Sequence, residues 1–206
     1  MTWDDLPDVS STTFEFATPA TEPEARDATI ELVGINLRLS CLISLGRFPR
    51  LTDLISSSSG YIRVRDARLV ASDGSVTGQV IPLLMVNQDE ISFIAEPDAP
   101  LHEPGSGEGF DELGVGVSLV DRRTRRFAIF TDGHELTGSV YLFGETDLVA
   151  FVESTHPHFI PVVDVTVRSL ADHRNVVQYP FVLVNRTRML GAADLDDDGA
   201  GSGSVW

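Results

Sequence analysis

Two stretches of this chain read alike: LTDLISSSSGYIRVRD, Leu51 to Asp66, and LVAFVESTHPHFIPVVD, Leu148 to Asp164. In each, apolar residues fall at i, i+3 and i+4 (Leu51, Leu54, Ile55; Leu148, Phe151, Val152), which puts them on one face of a short helix. A strand follows each time, with Ile62, Val64 and Asp66 matching Ile160, Val162 and Asp164 and one residue of slippage in the loop. The self-similarity extends outward in both directions. Upstream, Leu37, Leu39, Cys41, Ile43 and Leu45 alternate with polar residues as in a half-buried strand, and Leu136, Val140 and Leu142 stand at the positions of Leu39, Ile43 and Leu45. Downstream, Pro82, Val86 and Asn87 align with Pro180, Val184 and Asn185.

The repeat predicts an all-β fold with one short helix per unit. Two tandem, pseudo-symmetric units follow, each a five-stranded curled sheet or partly closed barrel, since so few strands bury one face most economically by curling. Each unit opens with a hairpin; in the second, Asp132-Gly133 signals a type I′ turn. Proline inside a run marks an edge strand, which points to the Pro82 and Pro180 strands as edges. The expected organisation is a disordered acidic tail over 1–29, units over 30–97 and 122–193, an acidic Gly/Pro-rich linker over 98–121 ending in a strand at Val115 to Val120, and a flexible tail over 194–206.

Charge follows the same division. The net charge of the 206 residues is −16, yet residues 30–97 hold seven acids against six arginines and 121–190 hold eight of each. The excess acid belongs to the appendages. All fifteen basic residues are arginine. No apolar run approaches the roughly 20 residues of a membrane-spanning helix, and the start, MTWDDLPDVSS, lacks the basic and apolar regions of a secretory signal. With a single cysteine, Cys41, in step with buried-face neighbours, the composition points to the cytoplasm and to a structural thiol.

Residues able to carry chemistry are sparse. His156-Pro157-His158 places two imidazoles in one loop of the second unit, a candidate zinc or copper site with His134, His173 or Asp164 as further ligands. Asp66 and Asp164 repeat on the apolar face of their strands, where a carboxylate needs hydrogen-bond donors at a bulge or turn. Asn87 and Asn185 recur where an apolar run stops, the place of a turn residue that tolerates left-handed angles. Arg47, Arg50, Arg63, Arg65 and Arg68, with Arg122, Arg123, Arg125 and Arg126, are candidate phosphate contacts, but the acidic appendages argue against a polyanion partner. Asp194 and Asp196 to Asp198 fail the calcium-loop pattern, GSGEG lacks the P-loop lysine, and no GxSxG, HExxH or CxxC occurs.

The unit pattern, a hairpin, then L-x-x-[LF]-[IV], then [YF]-I-x-V-x-D, then P-x-x-x-V-N, resembles a family of small bacterial single-unit β proteins of unknown function, here duplicated in tandem. The second unit departs from it at Ala150, which stands at the place of Asp53, and at Val165, which stands at the place of Ala67. The resemblance implies unit boundaries and no activity. The expectation is therefore a non-enzymatic interaction or scaffold module without cofactor, engaging a protein partner or itself through a strand edge near Leu84 or Val182. Nucleic-acid binding through the arginine faces and a metal or enzyme site at His156/His158 are the alternatives.

Overall fold

A computed structural model of the protein describes residues 26–35, 37–71, 74–99, 122–143, 148–154 and 157–196. The expected tail up to residue 25, the linker from 100 to 121 with its strand, the end from 197 and His156 lie outside these. The described chain is all-β with two short helices, in the order β1 (Asp27–Val33), β2 (Arg38–Ser44), α1 (Leu51–Ser57), β3 (Tyr61–Val70), β4 (Val76–Asn87), β5 (Phe93–Glu96), then β6 (Arg122–Thr131), β7 (His134–Phe143), α2 (Leu148–Glu153), β8 (Phe159–Ser169), β9 (Val176–Asn185) and β10 (Met189–Asp194). No described helix is long and apolar enough to cross a membrane.

Instead of two separate sheets, the ten strands form one antiparallel sheet in the order β10-β6-β7-β8-β9-β5-β1-β2-β3-β4. Within it β1–β5 and β6–β10 follow the same succession, and the two units join where β9 pairs with β5. The first unit starts earlier than its hydrophobic pattern suggests. Asp27 already pairs with Ser44, because the polar residues Asp27 and Thr29 complete a register set by Ala28, Ile30 and Leu32 on the buried face.

The core is shared across the junction. One cluster is centred on Ile30, Leu39, Leu51, Ile55 and Val64 of the first unit, and also takes in Phe159 and Leu183 of the second. The other is centred on Phe127, Ile129, Leu136 and Val162 of the second unit, and takes in Val33, Phe93 and Ala95 of the first. Each unit thus fills part of the other's interior, and burial of these side chains is the dominant favourable term joining the two.

The helices match only in part. Leu51 and Ile55 of α1 are buried and Leu54 half-buried, whereas α2 buries Phe151, stacked on Phe127 at 5.0 Å, and leaves Val152 exposed. The equivalence of Ile55 with Val152 in sequence therefore does not carry over to burial.

The repeated aspartates shape the sheet. Asp66 and Asp164 have φ of 50° and 52°, the only described non-glycine residues in the left-handed region. At each the pairing with the preceding strand slips by one, a bulge opposite Cys41 in β2 and opposite Gly138 in β7. The bulge turns both carboxylates out to solvent, which corrects their expected place on the apolar face: what recurs is the backbone angle, which Asp tolerates better than a β-branched residue. Pro82 and Pro180 sit opposite these aspartates, where the neighbouring ladder skips a pair, between Leu83 and Ile81 and between Phe181 and Tyr179. Proline has no N–H to lose there. This is how Pro180 is accommodated in β9, an internal strand and not the expected edge. Gly138 is fixed by the same bulge, since a Cβ there would lie 2.7 Å from Val162 Cγ1 and 2.9 Å from the Val163 carbonyl oxygen.

Asp66→Gly is expected to leave stability nearly unchanged, whereas Asp66→Val should cost about 1–2 kcal/mol through the left-handed penalty. Urea midpoints of the two variants check this; equal midpoints would contradict it. The Asp132-Gly133 hairpin is present, with Thr131 opposite His134. Only Gly133 has positive φ, 89°, so the turn is not the type I′ expected.

Candidate functional site

The two recurring asparagines end equivalent strands, Asn87 the outer strand β4 and Asn185 the junction strand β9. Asn87 and Asn185 have φ of −70° and −71°, so neither uses left-handed backbone. Each instead caps a 3₁₀ turn: the Asn87 Oδ1 accepts from Asp89 N at 3.1 Å and the Asn185 Oδ1 from Thr187 N at 3.0 Å. Asn185 has a further role. Fully buried, it donates from Nδ2 across the junction to the carbonyls of Gln88 (3.1 Å) and Ile91 (2.8 Å). Beside it Arg188 pairs with Glu90 at 2.8 Å and donates from Nε to the Asp89 carbonyl at 2.5 Å.

Backbone hydrogen bonds fix which way each strand faces. Asn185 N donates to Ser92 O and Arg186 N to His158 O, both at 2.9 Å. By antiparallel alternation Phe181 and Leu183 therefore turn their N–H and C=O groups to β5, while Val182 and Val184 turn theirs to β8. The same logic applies at β4, an outer strand of the sheet. Gln88 N donates to Gly60 O at 2.7 Å, so Leu84 and Val86 face β3, and Leu83 and Met85 present their backbone groups at the open edge. At the opposite end, Leu195 N donates to Arg126 O at 2.9 Å, which leaves Ala192 and Asp194 of β10 facing outward.

Two expected edge residues are thereby relocated. Val182 is buried inside the junction and belongs to no free edge. Leu84 is in the edge strand, half-buried against the first core, but its ladder groups are committed to β3. The groups available for strand addition are those of Leu83 and Met85.

A polar cluster crosses the junction on one side. Arg38 donates to Glu31 Oε2 from Nε and to the Tyr179 hydroxyl from Nη2, and that hydroxyl donates to the same Glu31 oxygen, each at 2.9 Å. Burial, with the Glu31 charge, pushes the Tyr179 phenol well above its ordinary range. Burial alone would lower the Arg38 guanidinium; Tyr179 and Glu31 outweigh it and raise it. Tyr179 thus stays protonated and Arg38 charged, which suits a closed structural triad and not a proton-transfer pair. Arg38 and Tyr179, with His134 and Phe93, line a pocket. His134 packs edge-on against Phe93, ring centroids 5.3 Å apart.

Burial holds the His134 imidazole below its usual range, with Arg38 acting in the same direction and the nearby Asp132 backbone opposing. A folded-state value below the unfolded value of ~6.5 means that the unfolded chain binds more protons in the interval between them. The contribution of neutral His134 is complete above about pH 6.5 and is lost as the pH falls below it. His134→Gln should therefore flatten the acid limb of a stability-versus-pH curve; an unchanged limb would contradict the assignment.

The remaining candidates do not converge. His158 lies against Phe159, with ring centroids 5.3 Å apart, and His173 and Asp164 are exposed elsewhere. Among the described residues no three His, Cys, Asp or Glu side chains are placed to hold a metal ion. Cys41 is free and buried, its thiol pushed up to about 12 by burial and the Glu31 charge, which makes it a poor nucleophile. Of the arginines, Arg65 pairs with Asp27 at 2.6 Å and Arg125 with Asp194 at 2.5 Å, so part of the basic surface is matched in cis.

The Arg38 triad and the cross-junction bonds of Asn185 were not visible in sequence order. Their members lie 148 and 97 residues apart. The one available signal was the recurrence of Asn87 and Asn185 itself. Comparison with protein-family models, with curated proteins and with solved structures returns no match.

Proposed function

We propose that this chain is a non-enzymatic interaction module that engages a protein by strand addition at the open edge of β4. The observation that carries the reading is the state of that edge. Leu83 and Met85 offer unpaired-side backbone groups together with exposed apolar side chains, the combination that main-chain hydrogen bonds and alternate side-chain pockets recognise in strand addition. The internal β9·β5 junction supports it, since the chain already uses the equivalent strand in this way. The closed character of the Arg38 triad and the inert Cys41 favour a module over an enzyme.

The test compares the tagged chain with Met85→Pro, which removes an outward N–H and leaves the β3 ladder intact. After purification from the native cell, a stoichiometric protein partner bound to the unaltered chain and lost from Met85→Pro is the expected result. Equal recovery with both would overturn the reading. So would metal that co-purifies and disappears with His158→Ala, or RNA released by salt and lost with Arg63→Ala.

A further inference from the structure

The burial of equivalent residues differs between the units in one consistent way. Tyr61 is 59% exposed and Phe159 3%; Met85 is 54% exposed and Leu183 0%. Leu83 is exposed where Phe181 is half-buried against the first core. On the other unit, Val152 is exposed where Ile55 is buried, and Leu190 is exposed where Ser92 is buried. The buried members of these pairs all lie at or beside the β9·β5 junction, with α1 lying against β8 there. The exposed members all lie at the two outer ends of the sheet, on β3 and β4 at one end and on α2 and β10 at the other.

These ends are the two halves of the same junction, left unjoined. We infer that the occupant of the β4 edge is a second copy of this chain, which adds its β10 and repeats the internal β9·β5 junction head to tail. This rests on the reading of β4 as a docking edge and names its partner. Transferring the internal register gives Val86 opposite Gly191, Met85 opposite Ala192, Leu84 opposite Ala193 and Leu83 opposite Asp194. The groups needed are in place, because Met85 and Ala192 both face outward. Tyr61, Leu83 and Met85 then enter the neighbouring copy's second core as Phe159, Phe181 and Leu183 enter the first, and Tyr61 covers Val152.

Charge supports this occupant. Glu90 and Arg188 stand at equivalent places, in the turns after β4 and after β9, and pair with each other at the internal junction at 2.8 Å. In a head-to-tail contact the turn after β4 of one copy meets the turn before β10 of the next, so Glu90 of one copy and Arg188 of the next, each already paired within its own copy, are brought together as opposite charges. Two like charges at these places would repel in both junctions. A heterologous contact of this kind closes into a ring or continues as a chain of copies, as the rotation per copy dictates.

Light scattering of the purified full chain should show assembly above monomer mass, either as a discrete particle or growing with concentration. Met85→Pro blocks the β4 edge and Ala192→Pro the β10 edge; each alone should be a folded monomer by circular dichroism. Mixed, they should form a 1:1 dimer through the one intact β4 and the one intact β10. If Pro perturbs folding, Met85→Lys with Leu190→Lys replaces the pair. A monomeric unaltered chain, a dimer of Ala192→Pro alone (which would mean β4 pairs with β4), or a mixture that stays monomeric overturns the inference. A monomeric chain whose native-cell partner is still lost with Met85→Pro would overturn self-assembly and leave the strand-addition reading standing.

Discussion

Asn185→Leu is expected to destabilise the protein by about 2–4 kcal/mol, whereas Asn87→Leu should cost only about 1 kcal/mol in the monomer. Both variants lose the cap of a 3₁₀ turn. Only the first removes the cross-junction donor to the carbonyls of Gln88 and Ile91; the Gln88 carbonyl still accepts from Ile91 N, while the buried Ile91 carbonyl loses its donor, at a cost of about 1–3 kcal/mol. Denaturant titration of both variants checks the asymmetry. Equal losses would mean that Asn185 is a turn residue and nothing more.

Phe93→Ala should cost about 3–5 kcal/mol, the ordinary range for a large aromatic removed from a core. The informative point is whose core it is. Phe93 belongs to the first unit, is 1% exposed and packs in the second unit's cluster beside Val33 and Ala95. The loss should therefore appear as reduced protection from hydrogen exchange in β6, β7 and β8 as well as in β5. Slowed or unchanged exchange in β6 to β8, with the loss confined to β5, would show that the two units do not share an interior.

Much of the fold was legible because its signals are local. Alternation around Cys41, the Asp132-Gly133 turn, the helical spacing at Leu51 and the matched strands ending at Asp66 and Asp164 each involve residues within one hairpin or one turn, where period and turn chemistry decide the structure. The repeat added the rest of the strand inventory. What the pattern misjudged was the reason for a residue's recurrence. Asp66 looked like a carboxylate on the apolar face until the bulge turned it outward. Asn87 looked like a left-handed turn residue, while its role is to accept backbone hydrogen bonds. Pro180 looked like an edge marker because the interruption opposite Asp164 is invisible along one strand.

The junction was illegible for a different reason. Ile94, Leu183 and Val182 are unremarkable apolar residues, and nothing in a single chain segment says whether such a face meets its own unit, the other unit or a second molecule. The aligned residues Met85 and Leu183 are both simply hydrophobic; only the three-dimensional pairing separates an exposed one from a buried one. The same ambiguity allowed Val182 to be read as a free edge.

Sharing of core residues across β9·β5 requires that the two units unfold together. Scanning calorimetry of the unaltered chain tests this most directly: the account predicts one transition whose calorimetric enthalpy equals its van't Hoff enthalpy per cooperative unit. Two resolved transitions, one for residues 27–96 and one for 122–194, would contradict it.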